Sequence, residues 1–140
     1  MSTTIKAQDD KEQPMHKSQL AGFIIDCETD DLDAAAAFWS AALGLKSRKN
    51  DDPADAAYVM LETPPEEQHI EVQKVDHPSR VHLDIETNDI EAEVQRLEAL
   101  GARRIGPVKR WVVMEAPTGQ RFCVVNPQRG NFEDTANIWD

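Results

Sequence analysis

The sequence is short of basic side chains, with 15 Lys and Arg against 26 Asp and Glu and a formal net charge of −11. Binding to a phosphate backbone rests on clustered Lys and Arg. The short basic groups here, KSRK at 46–49, RR at 103–104 and KR at 109–110, are flanked by acid. No nucleic-acid partner is expected, and the surplus acid reads as a solvated surface. Long apolar runs are missing too. None approaches the roughly 18–20 residues of a membrane span, so no membrane partner is expected. The first 18 residues, MSTTIKAQDDKEQPMHKS, lack the apolar stretch of a secretory signal, which makes a cytoplasmic location the expectation. Cysteine is scarce, with Cys27 and Cys123 far apart in the chain. Reduced thiols, not a disulfide, are expected.

What the chain does have is a repeat. Residues 23–31 read FIIDCETDD and residues 81–89 read VHLDIETND, so Asp26 matches Asp84, Glu28 matches Glu86, Thr29 matches Thr87 and Asp31 matches Asp89. His82, however, falls on Ile24. Each half opens with an alternating segment, GFIIDCET or RVHLDIET, which reads as a half-buried strand. A helix follows behind an acidic start, DLDAAAAFWSAALG in the first half and NDIEAEVQRLEALG in the second. Asp31 and either Asn88 or Asp89 suit the N-caps, and Gly44 and Gly101 suit the positions just past the ends. Ile90, Val94, Leu97 and Leu100 make one apolar stripe, and Trp39 is assigned to the core with Phe38 and Leu43. Three more strands are expected after each helix: near 45–49, at 57–62 and at 69–75, then at 102–109, 111–116 and 121–127. Turns fall at Pro64–Pro65 and at Gly119. The order is β-α-β-β-β twice, at a period of about 58 residues, which suits a duplicated module pairing with itself. At 140 residues the chain is expected to form one domain. Residues 1–18 read as a disordered arm, 19–127 as the folded unit (modules about 20–78 and 79–127) and 128–140 as a tail.

The segments VHLDIETNDIEAEVQRLEALGA and WVVMEAPTGQRFCVVNP, with DDLDAAAAFWSAALGL in the first half, resemble the vicinal oxygen chelate superfamily. That superfamily includes glyoxalase I, extradiol dioxygenases and the bleomycin- and fosfomycin-resistance proteins. The resemblance covers residues 20–127. It implies an α+β fold in which two βαβββ modules form a curled eight-stranded mixed sheet around a cavity, with the helices outside. It also implies a homodimer, because members often pair. Strand alternation then sorts the side chains. His82, Asp84 and Glu86 should face the cavity, as should His69, Glu71 and Gln73, then Arg121, Cys123 and Val125. Trp111, Val113 and Glu115 share a face, as do Tyr58, Met60 and Glu62. Such a polar, acidic interior is costly unless paired or wet, and a cavity that accepts a cationic or donor-rich ligand explains it.

In the superfamily's metal enzymes, four ligands come from the first and fourth strands of each module. The resemblance carries these onto Ile24, Glu71, His82 and Cys123, with Gln73 in place of Glu71 if the register slips by two. Ile24 has no donor atom. Cys123 stands where the family commonly has a glutamate, and a thiolate selects a softer metal. Only His82 and Glu71 fit as metal ligands, so the expected cofactor is none, or a weakly held divalent metal. Two functions are carried forward. One is a protein that binds a small organic molecule in its cavity without the usual complete metal site, as the bleomycin-resistance members do. The other is a lyase or isomerase of the glyoxalase kind, with His82 as base and Glu71 as its partner or a metal ligand. Tyr58 and Trp111 are candidates to stack a planar ligand, beside Gln73, Cys123 and Arg121. The repeated acids Asp26, Glu28, Asp84 and Glu86 read as structural, Cys27 as core, and His16 and His77 as solvated. Trp139 either folds over a cavity mouth or partner or lies in an exposed tail.

Overall fold

The computed structural model describes residues 15–140. The first half comprises β1 (His16–Glu28), α1 (Leu32–Leu43), β2 (Ser47–Lys49), a 3-10 turn at Pro53–Asp55, β3 (Tyr58–Leu61) and β4 (His69–Val75). The second comprises β5 (Arg80–Thr87), α2 (Ile90–Ala99), β6 (Arg103–Val108), β7 (Trp111–Glu115) and β8 (Arg121–Val125). A short α3 (Phe132–Thr135) and β9 (Asn137–Trp139) close the chain.

The repeated acidic starts build the same helix entrance twice. Asp31 accepts from the Ala34 backbone N–H at 3.0 Å, and Asp89 accepts from that of Ala92 at 3.1 Å. In each case the preceding threonine, Thr29 or Thr87, accepts from the cap residue's own N–H. Asn88, the other N-cap candidate, instead accepts from the Lys17 N–H. Gly44 and Gly101 end the helices at φ of 70° and 108°, a region that favours glycine.

The sheet runs β2-β3-β4-β1-β5-β8-β7-β6, with β9 added to the start of β1. The two first strands, β1 and β5, therefore lie antiparallel at the centre, and each is parallel to the last strand of its own module, β4 or β8. Both edges resist further pairing: β2 is three exposed residues, and β6 carries Gly106, Pro107 and a register shift. The stripe on α2 buries Val94 and Leu97 against Met114 and Val124, flanked by Ile85, Ile90, Val112 and Phe122. Burying a side chain of this size contributes roughly 1.5–3 kcal/mol. Leu100 falls at the C-cap and is exposed, outside the stripe.

The sequence assignments need correcting at three places. Phe38 and Leu43 are exposed, at 62% and 45%, because α1 packs on the side of Leu32, Ala36 and Trp39. Phe38, two residues beyond Ala36, points away from it. Residues 16–18, assigned to the arm, begin β1, and His16 is buried against Glu93 at 2.8 Å, not solvated. Arg96 also holds Glu93, donating to both carboxylate oxygens. The tail is also docked. Trp139 donates its indole N–H to the Ser18 hydroxyl at 2.8 Å and lies under the Arg96 guanidinium, 3.9 Å from the ring centroid. Residues 1–14 of the expected arm lie outside the described residues. Among the described residues no helix is long and apolar enough to cross a membrane.

A candidate ligand site inside the curled sheet

The inner face of the sheet encloses a cavity of about 510 Å³. Its floor follows from strand register. In β1, one extra residue at Ala21 shifts the pairing, so that Gly22 faces Asp84 and Ile24 faces His82 across the centre of the sheet. Gly22 is required there by close approach, since a Cβ would lie 2.1 Å from the His69 carbonyl oxygen. Cys123 on β8 then stands beside Asp84, and Glu71 on β4 beside Ile24.

All of the residues proposed from sequence, His82, Glu71, Trp111, Tyr58, Gln73, Cys123 and Arg121, line this cavity. Gln73 donates to the Tyr58 hydroxyl at 2.9 Å. Burial, together with the charges of Glu71 and Asp84, pushes the Tyr58 phenol well above its ordinary value. Two outward assignments differ in degree. Cys27 is only half-buried, where burial and Asp26 push its thiol up. His77 reaches the cavity's edge.

The partner of His82 was missed. Asp26, not Glu71, holds the ring, with Oδ2 2.7 Å from Nδ1. Asp26 is 2% exposed. On the far side of the ring, Nε2 lies 3.4 Å from Asp84 Oδ1, an ion-pair distance without hydrogen-bond alignment. Burial alone would lower the His82 pKa, but Asp26, Asp84 and Cys123 outweigh it and push it up to about 11. In the metal-free protein the ring is therefore an imidazolium at neutral pH. The repeat offered a clue to this pair, because it sets Asp26 two positions beyond Ile24 on a strand that must lie against β5.

Glu71 is different. It forms no hydrogen bond among the described residues, and burial, reinforced by Asp84 and Asp55, pushes its carboxyl up to about 7. Asp26 Oδ1 and Asp84 Oδ1 are buried and also lack hydrogen-bond partners. The floor thus holds three carboxyl groups around one ring. The interior is not uniformly acidic, however, because Arg48, Arg80, Arg110 and Arg121 also line the cavity. Three of them face carboxylates: Glu62 at 3.3 Å from Arg48, Asp26 at 3.7 Å from Arg80, and Glu115 at 3.6 Å from Arg121. The acids at 86 and 28 stay out of this site. Glu86 is fully buried and accepts from Gln19 and from the backbone N–H groups of Gln128 and Arg129.

The four positions that the resemblance assigns to a metal do not make a site. Ile24 fills one with a buried hydrocarbon, and the side chain beside His82 that lacks a partner is Asp84, which is not among the four.

Two βαβββ modules curled around a polar cavity, first strands together at the centre, define the vicinal oxygen chelate superfamily. The sequence agrees: a family model described as a glyoxalase-like domain matches residues 22–125. The chain belongs to that glyoxalase-like family. Among solved structures, a hypothetical protein of Bacillus halodurans is 20% identical with a TM-score of 0.53, covering 81% of this chain and 99% of that one. Methylmalonyl-CoA epimerase from Mycobacterium tuberculosis is 16% identical with a TM-score of 0.53, covering 78% and 87%. The Streptomyces coelicolor epimerase in complex with 2-nitronate-propionyl-CoA is 14% identical with a TM-score of 0.53, covering 78% and 98%. At such identities the likeness shows the fold alone. No curated protein matches the chain at a significant level.

Proposed function

We propose that this protein binds a small organic molecule in the cavity of the curled sheet, without the four-position metal site of its superfamily. The observation that carries this reading is the floor: buried carboxylate oxygens of Asp26 and Asp84 without hydrogen-bond partners among the described residues, in a cavity of about 510 Å³. That volume falls within the roughly 300–1,000 Å³ of small-molecule sites, and unpaired buried acceptors are expensive unless a ligand or water satisfies them. The ligand class is cationic or rich in hydrogen-bond donors. Arginines at the cavity do not reverse this, because three of the four already face carboxylates and exposed charges are screened more than buried ones.

Thermal-shift screening of chelator-treated, untagged protein tests the reading. Cationic or donor-rich small molecules should raise the melting temperature, and His82→Ala should weaken their binding. A panel in which anionic compounds bind more tightly than cationic ones would overturn it.

A lyase or isomerase is the second reading, and the geometry changes its cast. His82, held by Asp26 with its pKa raised, already carries its proton and is poorly suited to act as the base. Glu71 faces the cavity without a hydrogen-bond partner and is the better acid–base candidate. Solvent deuterium exchange into an α-carbon acid bound in the cavity, lost in Glu71→Gln, would favour this reading over simple binding.

A further inference from the structure

The superfamily's ligand positions fail here at Ile24, yet three donors converge one step away. One ring nitrogen of His82, a carboxylate oxygen of Asp84 and Cys123 Sγ lie within 4.8 Å of one another, all half-buried and lining the cavity. Asp84 is not one of the positions that the resemblance assigns to a metal. We propose that His82, Asp84 and Cys123 form a three-donor site for a borderline-soft divalent ion, zinc above all, displaced from the superfamily's usual set by the use of Asp84 in place of Ile24 and Glu71.

Strand geometry builds the site. His82 and Asp84 are two residues apart on β5 and so share the cavity face, and Cys123 is the register partner of Asp84 on the parallel neighbour β8. On the opposite side of Asp84 the register partner is Gly22, so no side chain from β1 covers the carboxylate. Donors around one tetrahedral zinc lie roughly 3–4 Å apart, given bonds of about 2.0–2.3 Å, and the 3.4 Å between His82 Nε2 and Asp84 Oδ1 is already of that size. Two further features point to an ion. Asp84 Oδ1 is buried without a hydrogen bond among the described residues. Asp26 grips the other ring nitrogen, Nδ1, at 2.7 Å, the orientation by which a carboxylate commonly fixes a metal-binding histidine with Nε2 outward. Asp26 Oδ1, on a side chain 2% exposed, is likewise unpartnered at the same floor. Nitrogen, oxygen and sulfur donors together favour zinc over magnesium or calcium. Three protein donors leave a fourth position open to the cavity. Such donors bind an ion in their deprotonated forms, so affinity falls as pH falls.

The site is tested with metal alone, so its failure is distinguishable from failure of organic-ligand binding. Untagged, chelator-treated protein is titrated with Co²⁺ under reducing conditions, and bound metal is counted by elemental analysis. The expected result is one ion per chain, with a near-ultraviolet thiolate-to-cobalt charge-transfer band that Zn²⁺ removes by displacement. Cys123→Ser should abolish the band, Asp84→Asn should weaken binding at least tenfold, and Cys27→Ser should leave the band intact. The absence of saturable binding by the unaltered protein overturns the proposal outright, whatever the variants do. A band that survives Cys123→Ser overturns it as well. So does binding that depends on Glu71 but not on Asp84, which would return the ion to the superfamily's positions.

Discussion

β1 and β5 carry the same residues to different ends. Where the repeated side chain acts within its own turn of chain, the two copies agree. Thr29 and Thr87 accept from the N–H of the following cap residue, and Asp31 and Asp89 cap their helices at nearly equal distances. Where the side chain acts across the sheet, the copies part. Asp26 Oδ2 bonds the His82 ring at 2.7 Å, whereas Asp84, its counterpart, only approaches the ring's other nitrogen, at 3.4 Å. Glu86 is buried and anchors the backbone at Gln128 and Arg129, whereas Glu28 is exposed. Duplication therefore preserves what is local and frees what is not. An interior residue takes its role from the strand opposite, and that strand differs between the copies.

The largest effect should come from breaking the Asp26–His82 pair. His82→Leu leaves a nearly fully buried carboxylate without its main partner, and urea unfolding of chelator-treated protein at neutral pH should show a loss of about 3–5 kcal/mol. Asp26→Asn in the same background should recover part of that loss, so the double variant loses less than the sum of the single ones. Asp84→Asn, the matching change in the other copy, should cost under about 1 kcal/mol. The pH dependence has a definite sign. The folded-state pKa of His82 is raised, from an ordinary 6.5 to about 11, so the pair's contribution is complete below about 6.5 and is lost as pH climbs toward 11. Equal losses in His82→Leu and Asp84→Asn would mean that the two copies do not differ as described.

Glu71 has no counterpart of the same kind, and its substitution should change stability in the opposite direction from that of His82. Its carboxyl is raised from 4.5 to about 7 chiefly by burial, so the folded protein resists ionising it. The penalty is absent below about pH 4.5, grows as pH rises toward 7 and is constant beyond. Glu71→Gln should therefore stabilise chelator-treated protein above pH 7, by about 2–3 kcal/mol, and flatten its stability profile between pH 4.5 and 7. Destabilisation by Glu71→Gln across that range would show that the charged form is held by a partner.

The repeat, the element order and most strand limits were legible in the sequence because alternation, caps and turn residues are local signals. The Asp31 N-cap and both helix-ending glycines can be read directly, and the second N-cap can be narrowed to Asn88 or Asp89. So could the face of most strand positions, which is why His82, Glu71, Tyr58, Gln73, Trp111, Cys123 and Arg121 meet in one cavity, although Glu86, assigned to the same face, lies outside it and holds the Gln128 and Arg129 backbone. The partner of His82 was not legible, since it depends on register across β1 and β5, and that register is shifted by the extra residue at Ala21. The docked ends were hidden for a related reason. His16, Ser18 and Trp139 are single polar or aromatic residues in stretches without periodicity, and only their meeting with Glu93 and Arg96 buries them. The exposed face of α1 misled because its first turns are nearly all alanine, which leaves Phe38 as the obvious and incorrect anchor.

The smallest effect probes the part of the comparison in which the copies agree. Asp31 and Asp89 each satisfy one orphan N–H of a helix start, at 3.0 and 3.1 Å, and both helices pack on the same sheet. Replacing an N-cap aspartate by alanine typically costs about 1 kcal/mol. Asp31→Ala and Asp89→Ala should therefore lower stability by similar amounts, measured as urea midpoints at unchanged slope. A difference of more than about 1 kcal/mol between them would place the asymmetry of the two modules in their helices as well as in their strands. Equal losses would confine it to the inner face, where Ile24 stands in one copy and His82 in the other.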